Sequence, residues 1–155
     1  MKRLHQQSGF TLVEVLMATI ILSIALLGLA KISTSVIKSN KFSTEFTTAT
    51  ALAQDWIEEA ASLSFADASL ADANTTNNST AGILSTANTD YQQAQMDENG
   101  DTGVAGAIFT RTINIWDRTD LASPASRKDI AVIVSWQDTT GQTRKVTVSA
   151  VKSHD

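Results

Sequence analysis

Glu14 is the one ionisable residue in an apolar run that extends from Phe10 to Ala30 and contains no proline. A helix of these 21 residues is roughly 31 Å long, close to the thickness of the hydrocarbon core of a bilayer. A carboxylate in such a segment costs on the order of 2.5 to 3.5 kcal/mol in lipid. The chemistry that these residues indicate is therefore charge pairing, because Glu14 needs a partner.

The residues in front of the run have an unusual order for an exported protein. A secretory signal peptide places its positive charges first, then its apolar core, then a small-residue cleavage site, so that the apolar core is discarded. Here Lys2 and Arg3 come first, but the small pair Ser8 and Gly9 precedes the apolar run. This order differs from that of a signal peptide.

Residues 2–16 resemble the class III leader of type IV prepilins and of type II secretion pseudopilins, with the sequence Lys2-Arg3 … Gly9-Phe10-Thr11-Leu12-Val13-Glu14-Val15-Leu16. The resemblance implies that a prepilin peptidase cleaves between Gly9 and Phe10 and that Phe10 becomes the N-methylated terminus. It also implies that Glu14 is the assembly carboxylate, which meets the N-terminal amine of a neighbouring subunit. Since a buried ion pair is strongly penalised when one partner is removed, Glu14 is expected to select subunit registry. The alternative is an uncleaved signal anchor.

Composition narrows the possible functions. The chain has 155 residues and no cysteine, enough for one modest domain beside the apolar run, without disulfides, thiolate nucleophiles or Cys-ligated metals. Many major pilins close a C-terminal loop with a disulfide, so the resemblance favours minor pilins and pseudopilins. The formal net charge is −4, and no Lys or Arg lies between Lys41 and Arg111. This acidic middle argues against nucleic-acid binding by that part of the chain.

Residues 31–65 are predicted to continue the helix as an amphipathic half. Apolar residues recur mostly at three- or four-residue spacing, and neither Gly nor Pro occurs between Ala30 and Leu63. We predict one helix from about residue 10 to about residue 62, roughly 80 Å long, with residues 10–30 as its transmembrane or filament-core half. The side chains predicted to pack against a sheet are Phe46, Ala53, Trp56 and Ile57.

Residues 66–107 are rich in Ala, Ser, Thr, Asn and Asp and are predicted to form a polar loop with short helical pieces. An exposed connection of this kind is a reasonable place for partner recognition. Residues 97–103, which include Asp97 and Asp101, resemble the first half of a calcium loop. However, Thr102 and Ile108 stand where the EF-hand pattern needs Gly and Glu. We predict a plain turn, no metal site and no cofactor.

From Ile108 the apolar period changes to two, which predicts strands in residues 108–155. The apolar positions are Phe109, Ile113 and Ile115, then Ile130, Val132, Val134 and Trp136, then Val146, Val148 and Ala150. Residues 137–143, with Gly141, are predicted to turn between the last two strands, and Pro124 lies in the link before them. We predict a three-strand antiparallel meander covered by the helix. The fold class is α+β: one long N-terminal helix on a small C-terminal sheet, in a type IV pilin-like arrangement.

The C-terminal strand pair resembles that of PilV-type minor pilins. An alternating strand ends in Trp136, a turn with Gly141 follows, and Arg144 starts a Val-rich last strand; residues 14–18 and 26–29 also suit that family. The resemblance implies a minor pilin that promotes pilus assembly or initiation and supports adhesion, twitching motility or DNA uptake. The implied partners are the prepilin peptidase, the major pilin and other minor pilins. The implied location is the inner membrane, with a periplasmic C-terminal domain, and then the pilus.

Other functions remain as alternatives. A type II secretion pseudopilin shares the N-terminal pattern, and a signal-anchored periplasmic binding domain would never polymerise. Catalysis is not expected, because His154 is the one histidine after the leader and cysteine is absent. Nucleic-acid binding is also not expected, since nearby aspartates offset the basic residues of the strand region. These basic residues are Arg111, Arg118, Arg127, Lys128, Arg144 and Lys145.

Overall fold

The computed structural model describes residues 9–87, 89–121 and 126–154. Residues 1–8 of the predicted leader, and Pro124 of the predicted link, lie outside the described residues. The described chain contains one α-helix, α1 (Leu12–Ser62), and four strands: β1 (Tyr91–Met96), β2 (Phe109–Asp117), β3 (Arg127–Gln137) and β4 (Thr143–Ser153). It divides into a first unit that ends at Lys41 and a second unit that begins at Phe42.

The first unit is helical from Leu12 onward, and every described side chain in it is exposed. The helix passes through Gly28 without interruption, as expected for a run that lacks proline. The predicted single helix is thus confirmed, with its start at Leu12 and its end at Ser62.

The second unit packs the C-terminal part of α1 against an antiparallel sheet, as the predicted fold class requires. The buried helix residues lie three or four apart on one face: Glu45, Ala49, Leu52, Ala53, Trp56 and Ala60. Ile57 is partly buried beside them. The prediction for Phe46 is wrong, because this side chain is 47% exposed. It follows the buried Glu45 by one residue, a rotation of about 100°, and so leaves the packed face.

The sheet has four strands in the order β1-β2-β3-β4, all antiparallel to their neighbours. The predicted three-strand meander is therefore incomplete, because β1 lies within the region predicted to be a polar loop. The sequence Tyr-Gln-Gln-Ala-Gln-Met of β1 has no apolar alternation from which a strand is recognised. Backbone pairing with β2, from Tyr91 opposite Ile113, forms the strand instead.

The last two strands and their turn agree with the prediction. β3 and β4 pair without interruption from Arg127 opposite Ser153 to Gln137 opposite Thr143. The turn between them is closed by the Asp138 N–H, which donates to the Gln142 carbonyl at 2.9 Å. Gly141 has a φ of +79° in this turn, a conformation that favours glycine. The apolar positions predicted for β3 all belong to the core between the sheet and α1.

The face of β2 that is directed away from α1 is also buried, although its polar residues indicate an exposed face. Asn114 is completely buried, and its Nδ2 donates to the carbonyls of Ile83 and Ser85 at 2.8 Å each. Asp90 attaches the same loop to the sheet, because its carboxylate accepts from the Ile115 N–H at 2.7 Å and from the Asn74 N–H at 2.6 Å. Polar side chains thus hold the loop on the outer face of the sheet.

Candidate assembly site

The predicted assembly residues lie at the start of α1. Gly9 and Phe10 precede the helix, and Phe10 is 84% exposed. Thr11 caps the helix, because the Glu14 N–H donates to its carbonyl at 3.1 Å and to its Oγ1 at 3.3 Å. Glu14 is therefore the third helical residue, where the capping-box pattern places Glu and where the helix dipole favours a negative charge. Among the described residues, no ion pair is found for its carboxylate.

The helix behind this site presents apolar side chains on all sides. The exposed fraction of its large apolar residues is at least 51%, the value for Val36, between Leu12 and Ile37. Within the described residues, α1 is the one helix whose length and composition would allow it to cross a membrane. A helix that is apolar all round needs either lipid or other protein around it.

Hydroxyl side chains along this surface are satisfied by the helix itself. Thr19 and Ser23 donate to the carbonyls of Leu16 and Thr19, at 2.8 and 2.7 Å. The hydroxyls of Ser33 and Thr34 likewise donate to backbone carbonyls one helical turn earlier, at 3.0 Å each. Such bonds remove the cost of an unpaired hydroxyl in an apolar environment. The surface is therefore suited to burial on every side.

Polar contacts inside the second unit join α1 to the sheet, and no pattern in the sequence indicates them. The Trp136 indole N–H donates to Glu45, and Arg111 donates to the Gln93 side chain at 2.8 Å and to the Leu52 carbonyl at 3.1 Å. Burial lowers the pKa of Arg111 from its usual value, against the opposing effect of nearby carboxylates. A lone charged residue in a strand gives no sequence signal that it will face a helix.

Most basic residues of the strand region are held by carboxylates of the same chain. Arg118 binds Asp120 and Asp129 at 2.7 to 2.8 Å, and these hydrogen bonds raise its pKa above the usual value. Three further pairs join Arg127 to Asp129, Lys128 to Asp117 and Arg144 to Asp138, at 2.6 to 2.8 Å. Lys145 is exposed on one face of β4, whereas the side chain of Arg144 is half-buried on the other face. Pairing of this kind reduces the charge available for phosphates.

The turn that resembles a calcium loop uses its first carboxylate internally. Asp97 Oδ1 accepts from the N–H groups of Asn99 and Asp101 at 2.9 Å each. Although burial raises the pKa of Asp97, these bonds outweigh that effect and lower it. Gly100 and Gly103 both have positive φ and shape the turn. The loop is therefore closed by hydrogen bonds among its own residues.

Comparison with known proteins agrees with the N-terminal pattern. Residues 4–30 match the family described as "Prokaryotic N-terminal methylation motif". This segment contains Gly9, Phe10 and Glu14, and it covers less than a fifth of the chain. No curated protein and no solved structure matches the chain. The chain therefore carries a prepilin-like N-terminal methylation motif at the head of a long apolar helix. The motif implies processing by a prepilin peptidase and pilin-type partners in general, and it fits membrane anchoring.

Proposed function

We propose that this chain is a minor pilin of the PilV type, which enters a type IV pilus at low abundance and promotes its assembly or initiation. The observation that carries the proposal is the methylation motif on a helix whose apolar surface is exposed on all sides. A surface of this kind suits lipid before assembly and neighbouring helices afterwards. The helix-on-sheet fold of the second unit supports the same protein class.

In this proposal Gly9 and Phe10 flank the cleaved bond, Phe10 is N-methylated, and Glu14 pairs with the N-terminal amine of a neighbouring subunit. Before assembly the chain lies in the inner membrane with its C-terminal domain in the periplasm. Its partners are the prepilin peptidase, the major pilin and other minor pilins. Adhesion, twitching motility or DNA uptake would be the activity of the assembled pilus, and the proposal includes no catalysis, cofactor or nucleic-acid contact by this chain.

The test is mass spectrometry of sheared surface filaments and of the inner-membrane fraction from the same cells. The expected result is a peptide that begins at N-methylated Phe10, found in filaments beside a major pilin in large excess. A processed chain confined to the inner membrane would contradict the pilus role and support a type II secretion pseudopilin. An intact Met1 in cells that process other prepilins would contradict both roles and support a signal-anchored domain.

A further inference from the structure

The strand β4 forms one edge of the sheet, with β3 as its neighbour. Two backbone bonds establish which of its residues bind β3. The Asp138 N–H donates to the Gln142 carbonyl at 2.9 Å, and the His154 N–H donates to the Ser126 carbonyl at 2.8 Å. Both pairs continue the β3–β4 register. Because hydrogen-bonded pairs alternate in an antiparallel ladder, even-numbered residues of β4 bind β3 and odd-numbered residues direct their backbone groups away from it.

The outward backbone groups form a long, regular row. We call the N–H and C=O groups of the following residues the open edge of β4: Thr143, Lys145, Thr147, Ser149, Val151 and Ser153. All six residues are exposed, and within the described chain none of their outward groups has a backbone partner. The strand is 11 residues long, about 36 Å, with neither a bulge nor a proline. Natural edge strands are usually protected by such features.

The other edge of the sheet does have this protection. β1 has only six residues, and its register shifts between Gln93 and Met96. Gln95 has a φ of +55° at this bulge, and its carbonyl accepts from the Gly103 N–H at 3.0 Å. A bulged and locally covered edge resists further strand pairing. The two edges therefore differ: β1 is closed, and β4 is open.

The direction of β4 restricts what can pair with it. Arg144, near the start of β4, lies 5.6 Å over the Phe42 ring, and Lys152, near its end, donates to the carbonyls of Ala60 and Ala61. β4 thus runs in the same direction as residues 42–62 of α1. In two copies with these helix segments side by side and parallel, the β4 strands would also be parallel. A strand that pairs antiparallel with β4 must run in the direction opposite to the helix of its own subunit. In this chain the edge strand that runs in that direction is β1, and β1 is closed.

Charge gives a further restriction on the partner. The side chain of Lys145 is exposed on the open edge, and no ion pair is found for it among the described residues. The neighbouring Arg144 is already paired with Asp138. Opposite charges across a strand pair are stabilising. An acidic residue of the partner strand, placed opposite Lys145, would therefore stabilise the pairing because it compensates this charge.

We propose that the open edge of β4 binds an extended strand of a different pilin-like subunit, which adds antiparallel to β4 and places an acidic residue opposite Lys145. Backbone hydrogen bonds would supply affinity, and the side chains opposite Thr147 and Lys145 would supply specificity. The nature of the partner rests on the proposed function, whereas the open edge itself is a property of the sheet.

The test uses the full chain in cells, with the photoreactive residue p-benzoylphenylalanine at Ser149 and, as a control, at the exposed Gln92 of β1. The expected adduct forms from position 149 and joins the chain to a different protein with its own prepilin-type N-terminus. Thr147→Pro removes an outward N–H that β3 does not use, so it should lower the adduct yield about tenfold or more. Thr147→Val keeps this N–H and should leave the yield unchanged.

Several outcomes would overturn the proposal. These are no adduct from position 149, an adduct with a second copy of this chain, equal adducts from positions 149 and 92, or a yield that does not change in a Thr147→Pro variant of normal melting temperature. If Thr147→Pro does not fold, Lys145→Glu takes its place, because this exposed side chain can reverse its charge without loss of internal contacts.

The N-terminal peptide and the filament content are measured on the same cells. A chain that enters filaments normally but gives no adduct refutes the edge alone, whereas an unprocessed chain refutes the proposed function.

Discussion

The Trp136 indole N–H donates a hydrogen bond of 3.0 Å to the Glu45 carboxylate, and both side chains are buried. Glu45 lies on α1 near the start of the second unit, and Trp136 lies near the end of β3. Burial of a carboxylate is costly unless it is hydrogen-bonded. The contact therefore favours one register of residues 42–62 of the helix on the sheet, in which the carboxylate and the indole meet.

Trp136→Phe is expected to destabilise the second unit by about 1 to 3 kcal/mol, because the buried carboxylate loses a donor while the aromatic core is largely kept. Thermal unfolding of the detergent-solubilised full chain, followed by circular dichroism, measures the loss. Glu45→Gln serves as the matched background, since it keeps an acceptor oxygen and removes the charge. The loss from Trp136→Phe should be smaller in that background; equal losses would show that the two residues are not coupled.

Lys152 is expected to stabilise the C-terminal end of α1. Its ammonium group reaches the carbonyls of Ala60 and Ala61 at 3.1 Å each, and the last turn of the helix has no basic residue of its own. Lys152→Met should cost about 0.5 to 1 kcal/mol of stability, because the negative end of the helix loses its cation. Lys145→Met, on the same strand but exposed, is the control and should leave the melting temperature unchanged. Equal effects would contradict the capping role.

Asp138 is expected to make stability depend on pH in the acid range. Hydrogen bonds from Thr140, and then from Arg144 and Gln142, lower the pKa of its carboxyl group well below the usual 3.8, although burial opposes them. Since the folded-state pKa is below the unfolded value, the stabilisation is complete above about pH 4 and is lost as the pH falls further. The difference in melting temperature between the wild-type chain and Asp138→Asn should therefore shrink from pH 6 to pH 3. A constant difference would contradict this.

The sequence predicted those parts of the fold that depend on apolar periodicity. The alternation of Ile130, Val132 and Val134 identified β3, and the uninterrupted pattern after Ala30 identified the long helix. It did not predict β1, whose side chains are mostly polar and whose formation depends on a backbone partner on β2. Nor did it predict the burial of Asn114, because the loop that covers this residue is itself polar.

For the candidate site, the motif could be read from the sequence, whereas the position of Glu14 in the first turn of the helix required the structure. The spacing of Gly9, Phe10 and Glu14 is visible without coordinates, since the motif is linear. The bond from the Glu14 N–H to Thr11 Oγ1 shows in addition that Thr11 caps the helix and that Glu14 is its third residue. The open edge of β4 could not be recognised from sequence, because an edge is defined by the absence of a neighbouring strand.

Glu14 has two possible roles that a single variant does not separate. Its position three residues after Thr11 suits a helix cap, which an uncharged Gln would also provide. The proposed pairing with the amine of a neighbouring subunit instead requires the negative charge. Two substitutions, Glu14→Ala and Glu14→Gln, distinguish these roles because only the first removes the polar cap.

Both variants are expected to be cleaved after Gly9 and to be absent from filaments. Loss of one partner of a buried ion pair costs about 3 to 5 kcal/mol, so incorporation should fall by about a hundredfold or more. Quantitative mass spectrometry of sheared filaments measures this, with the processed N-terminal peptide in the membrane fraction as the internal control. If Glu14→Gln entered filaments at the wild-type level while Glu14→Ala did not, the carboxylate would act as a helix cap and the charge-pairing role would be wrong.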